Sequence, residues 1–161
     1  MSRRSVRHET IVVESLYDAS PERVFRAWSD PAARARWDVP GEDWQIVEFD
    51  SDFRVGGRER SRFGPPGGPL YTSDGRYEDI VPNSRIVMAG TMARGETRIS
   101  TSVLTVELLT LSSQTRLILT EQAVFLDGED RPASRKQGWT GILNKLGAEL
   151  KRAPANPAER G

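Results

Sequence analysis

The apolar positions of this chain follow two periods, and the change from one to the other comes near residue 128. From Glu9 to Tyr17 the run E-T-I-V-V-E-S-L-Y is β-branched and partly alternating, which predicts a first strand. Asp18-Ala19-Ser20-Pro21 breaks it. Ser20 can cap a helix, Pro21 suits its first turn, and Glu22 is favoured near the positive end of the dipole. Val24, Phe25 and Trp28 then share one side of a short helix, and Asp30-Pro31 opens a second one ending near Trp37. Strand patterns follow over 44–49, 57–63, 76–81, 85–92, 102–111 and 115–126, with a Gly/Pro loop at 64–69 that no regular element tolerates. Consecutive strands with short connections imply an antiparallel meander.

After Asp127-Gly128-Glu129-Asp130 the period becomes helical. Trp139, Ile142, Leu143, Leu146 and Leu150 form one narrow stripe on the longest helix, which must pack on the concave side of the sheet. Gly138, Gly141 and Gly147 fall off that stripe, each costing about 1 kcal/mol relative to alanine. Packing of the stripe does not account for them; a helix that tilts or frays, or plain sequence drift, does. The expected organisation is a flexible N-terminus over residues 1–8, a single domain over 9–152 and a disordered tail over 153–161.

Composition narrows the function classes. A chain of 161 residues and 18.0 kDa is one domain by length and needs no disulfide or metal staple. Lys plus Arg and Asp plus Glu balance at 23 each, which argues against nucleic acid. With no cysteine there is no disulfide, thiolate chemistry or zinc–cysteine site, and a single histidine, His8, excludes a multi-histidine metal site. His8 reads as a solvated tail residue. No cofactor is expected. No apolar run reaches the length of a spanning helix, and no apolar region follows Met1-Ser2-Arg3-Arg4-Ser5, so a cytoplasmic location is expected.

Several short motifs recur in a fixed order. They are Asp18-Ala19-Ser20-Pro21-Glu22-Arg23-Val24-Phe25, Trp37, Phe53-Arg54-Val55-Gly56-Gly57-Arg58, the hairpin from Gly75 through Pro82-Asn83 to Val87, Leu119-Thr120-Glu121-Gln122, and Gly138-Trp139. Together with the element order they resemble the START/Bet v 1-like helix-grip superfamily, and within it the family named for the activator of heat-shock-protein-90 ATPase. The resemblance runs from about Ile11 to Leu150. It implies an α+β helix-grip fold: a curved antiparallel sheet, two short helices and a long C-terminal helix. Where that family usually has an aromatic residue two positions after the glycine pair, this chain has Glu59.

Two carboxylates stand out as candidates for chemistry. Leu117, Leu119, Glu121, Ala123 and Phe125 share one strand face, opposite Arg116, Thr120 and Gln122, so Glu121 is expected inside. There it either orients a ligand's polar end, acts as a general acid, or is a structural carboxylate held by an arginine or backbone. Glu59, Ser61 and Phe63 are the matching inward set, opposite Arg58, Arg60 and Arg62. Glu59 would then either divide acid and base roles with Glu121 or pair with an arginine at the cavity mouth. Trp37, Trp44, Tyr77, Met88 and Trp139 are the large side chains expected near the cavity, against packing roles for each. The resulting expectation is a binding module for a small apolar or amphipathic molecule. The alternatives are a co-chaperone-like interaction module with a chaperone partner, and an enzyme of the polyketide cyclase/dehydratase kind, the enzyme being disfavoured. A homodimer is compatible with the sequence.

Overall fold

A computed structural model describes residues 4–152; the expectations for residues 1–3 and for the tail 153–161 lie outside the described residues. Seven strands form one antiparallel sheet: β1 (Val6–Tyr17), β2 (Gln45–Ser51), β3 (Arg58–Gly64), β4 (Tyr71–Val81), β5 (Arg85–Arg94), β6 (Thr97–Leu111) and β7 (Gln114–Leu126). Helices α1 (Pro21–Ser29) and α2 (Pro31–Trp37) interrupt the meander after β1, and α3 (Pro132–Arg152) closes the chain. The sheet order is β1-β7-β6-β5-β4-β3-β2, so the first strand pairs with the last and the sheet curves around α3.

The helix starts form where the capping residues stand. Ser20 Oγ accepts from the Arg23 N–H and Asp30 Oδ1 from the Ala32 N–H, each followed by a proline at the first helical position. The stripe of α3 is buried as its period requires, with Leu143 and Leu146 packed against Val24, Val106, Leu117 and Leu119 in one core. Tyr17 fixes the depth of α3 from β1: its hydroxyl donates to the Leu143 carbonyl at 2.7 Å.

Four expectations need correction. The first strand begins at Val6, because Val6, Arg7 and His8 pair with Leu126, Phe125 and Val124; His8 is a surface strand residue, not tail. Strand β4 starts at Tyr71 and β6 at Thr97, five residues earlier than the apolar pattern suggests in each case. Their early segments, Y-T-S-D-G and T-R-I-S-T, carry few apolar side chains and are held by ladder bonds instead. Trp44 precedes β2 rather than opening it. Finally, two of the three off-stripe glycines of α3, Gly141 and Gly147, have a packing reason. A side chain at Gly141 would stand 3.1 Å from the Pro40 carbonyl oxygen and one at Gly147 3.3 Å from the Tyr17 ring. The loop after α2 and the β1 tyrosine lie directly on the helix there.

The concave face carries one row of unusual composition. Glu59, Gly75, Gly90, Ser102 and Ala123 are successive register partners across β3, β4, β5, β6 and β7. At its centre the strands turn so sharply that a Cβ on Gly90 would lie 2.5 Å from the Asp74 carbonyl oxygen and 2.8 Å from the Gly75 Cα. Only glycine permits that approach. The row therefore bends the sheet and leaves space in front of it.

Candidate functional site

That space is a cavity of about 510 Å³ between the concave face, α3 and the loop after α2. Trp44, Glu59, Tyr77, Met88, Glu121 and Trp139 all form part of its wall. Trp37 does not. It is buried in the core, edge-on to Trp28 at 4.8 Å, with its Nε1–H donating to the Ala27 carbonyl. From the α1–α2 pair it is Trp28 that reaches the cavity, and its buried Nε1–H has no hydrogen-bond partner among the described residues.

On the β3 side the site is built around Glu59. The strand alternation buries Glu59, Ser61 and Phe63 and turns Arg58 and its neighbours outward, where Arg58 pairs with Asp74 at 2.5 Å. Arg34, projecting from α2 on the face it shares with Trp37, is 2.9 Å from Glu59 Oε1 through Nη1 and 3.1 Å from Oε2 through Nη2. The same guanidinium donates from Nε and Nη2 to Asp38 Oδ2 at 3.0 and 2.6 Å, and from Nη1 to the Trp28 carbonyl. Its plane is flanked by the rings of Trp28, Trp37 and Phe49. The Tyr77 hydroxyl donates to Glu59 Oε1 and is hydrogen-bonded to Ser51 Oγ at 2.9 Å.

Burial works against the charge of Arg34, but the carboxylates of Glu59 and Asp38 more than restore it and hold the guanidinium well above the usual arginine range. Burial raises the Asp38 carboxyl above the ordinary carboxylate range; Arg34 opposes this in part and Glu59 adds to it. Burial likewise pushes the Tyr77 phenol up, so its hydroxyl remains a donor.

On the β7 side Glu121 faces α3. Arg135 Nη1 lies 3.2 Å from both its oxygens, the Trp139 Nε1–H donates to Oε1 at 3.0 Å, and the Ser102 hydroxyl to Oε2 at 2.9 Å. Arg135 also donates to Ser100 Oγ and Asp130 Oδ2 and lies over the Phe125 ring. For both carboxylates the geometry has the arginine-paired alternative. Sequence reasoning missed the partners, Arg34, Asp38 and Arg135. A signal existed: Arg34 stands three residues before Trp37, and Arg135 one turn before Trp139 on the apolar stripe.

Between these polar ends the wall is apolar and aromatic. Trp44 stacks on Tyr71 at 5.3 Å and Tyr71 on Phe63 at 5.8 Å, with Met88, Leu104 and Ile142 nearby in the lining. Among the described residues no group of three or more His, Cys, Asp or Glu side chains converges as a metal site, and no helix is long and apolar enough to cross a membrane.

The sequence profile of the family described as activator of Hsp90 ATPase homolog 1-like protein matches residues 18–151. Among solved structures, an uncharacterized protein from Rhizobium leguminosarum is 42% identical, with 94% of this chain and 99% of that one covered and a TM-score of 0.88. A protein from Rhizobium loti is 46% identical over 90% of this chain and 99% of that one, with a TM-score of 0.82. One from Chromobacterium violaceum is 29% identical over 88% and 96%, with a TM-score of 0.78. No curated protein matches the chain.

Proposed function

The chain belongs to the activator of Hsp90 ATPase homolog 1-like family, and from that premise we propose that it is a binding module for a small apolar or amphipathic molecule. The observation that carries the reading is the cavity of about 510 Å³. Ligand pockets run from about 300 to 1,000 Å³ and combine an apolar wall with a few fixed polar groups. This cavity has that make-up, with the Trp44–Tyr71–Phe63 stack as wall and the Glu59 and Glu121 clusters on different strands as polar anchors.

An acid–base enzyme is the weaker reading. A general acid or base needs a proton it can exchange with substrate. Glu59 is held by Arg34 and Tyr77, and Glu121 by Arg135, Trp139 and Ser102, so both carboxylates are engaged as ion-pair acceptors. Anchoring a ligand demands nothing more of them.

Titration of the folded protein with a hydrophobic fluorophore tests the proposal. We expect saturation at one fluorophore per chain and a marked loss of affinity in Leu104→Trp, which fills the cavity from β6. Non-saturating enhancement that the variant leaves unchanged would remove the reading.

A further inference from the structure

The charge distribution of the cavity bears on which polar end its ligand carries. Resting on the binding reading above, we propose that this ligand bears a protonated amine on its apolar body, and that Asp38 is the group that receives it.

Each of the two cavity guanidiniums serves two carboxylates. Arg34 lies between Glu59 and Asp38, and Arg135 between Glu121 and Asp130. A guanidinium has five N–H groups. Those of Arg34 are directed to Glu59, to Asp38 Oδ2 and to the Trp28 carbonyl. One cation cannot neutralise two carboxylates, so the β3 side carries a surplus negative charge while Asp38 is ionised. The surplus has a location. Asp38 receives both Arg34 bonds on Oδ2, and Oδ1 accepts none from the described residues. The side chain is largely buried, 14% exposed, and lines the cavity. The ammonium of Lys145, on the neighbouring face of α3, is turned to the carbonyls of Val39 and Gly41.

An anionic head group would meet that surplus and find no guanidinium donor to spare, since Arg135 is committed to Glu121, Ser100 and Asp130. An ammonium would meet an open carboxylate oxygen, forming a charge-assisted hydrogen bond. The Trp44–Tyr71 stack in the same wall suits it as well, because ring faces attract cations. The raised carboxyl of Asp38 agrees with this: burial and the Glu59 carboxylate disfavour its charge, which a bound cation would stabilise.

Decylamine, decanol and decanoate, titrated at neutral pH below micelle-forming concentrations, present one chain with three head groups. The expected result is that decylamine binds at least about tenfold tighter than decanol, the factor a hydrogen bond to a charged group supplies, with decanoate weakest. Asp38→Asn should bring the amine down to the level of the alcohol and leave the alcohol unchanged. Equal binding of amine and alcohol by the wild-type protein, or a preference for decanoate, overturns the proposal and leaves the cavity reading standing. Binding of none of the three removes both. Should Asp38→Asn not fold, the wild-type series decides alone.

Discussion

Two arginines explain why a strand of this chain can turn a glutamate into its own core. Leaving a buried charge without its partner typically costs about 3–5 kcal/mol, so the pairs should respond unequally to substitution. Arg135→Met strands both Glu121 and Asp130 and should lose about that much stability. Glu121→Gln keeps an amide whose oxygen accepts from Trp139 while its NH2 donates to the Ser102 hydroxyl, and Arg135 retains Asp130. Its cost should fall to roughly 1–3 kcal/mol. Urea denaturation of the two variants checks the order. Tyr17 makes a second prediction. Burial pushes its phenol up to about 12, against about 10 in an unfolded chain. Between those values the folded protein keeps a proton that the unfolded chain releases, so Tyr17's contribution is intact below about pH 10 and declines as pH rises toward 12. Tyr17→Phe should remove this alkaline loss and cost about 1 kcal/mol at neutral pH through the lost bond to Leu143.

The inward register of Glu59 and Glu121 was legible in the sequence, because alternation with Leu117, Leu119, Phe125 and Phe63 leaves one choice of face. Their partners were not, because Arg34 and Arg135 stand on helices and their contacts cross 25 and 14 residues of chain. A strand pattern carries no information about what another element brings opposite it. Trp37 illustrates the converse: its helical spacing announces burial and says nothing of whether a cavity or solid core lies beyond.

Among the elements, α3 carries the largest share of the core. Leu146 is fully buried, and Leu146→Ala should cost about 2–5 kcal/mol, whereas Lys151→Ala at the exposed end should stay within about 0.5 kcal/mol. Chemical denaturation distinguishes them directly. The helix glycines separate by their neighbours. A Cβ at Gly138 meets only the Pro40 Cβ at 3.5 Å, an ordinary contact, so Gly138→Ala should raise the melting temperature by its helix propensity, worth about 1 kcal/mol. At Gly141 the Pro40 carbonyl oxygen is 3.1 Å away and the loop must yield, so Gly141→Ala should gain less or lose stability. That loop is pinned by Lys145, whose ammonium donates to the carbonyls of Val39 and Gly41. The helix period could not show any of this. A wheel places Gly141 off the apolar stripe but cannot show that a backbone from another segment lies across it. The early halves of β4 and β6 stayed hidden for a related reason, since ladder bonds leave no trace in the apolar pattern.

At the scale of the whole molecule the sheet has two jobs, to hold a core against α3 and to stand away from it in front of the Gly75–Gly90 pair. The core is built by β1, β6, β7 and the helices α1, α2 and α3; the cavity opens where β3 to β6 bend away. The meander and its closing helix were readable from one change of period, while the curvature was not, because it depends on two glycines meeting across β4 and β5. The four tryptophans test the resulting account most directly. In a two-dimensional nitrogen–proton spectrum each indole gives its own Nε1–H signal. Trp28, Trp44 and Trp139 line the cavity, while Trp37 donates to the Ala27 carbonyl inside the core. Addition of decylamine should shift the Trp44 and Trp139 signals most and Trp37 least, saturating at one molecule per chain. Shifts confined to backbone amides of the outer sheet face, with the Trp44 and Trp139 indoles unmoved, would contradict an interior binding site.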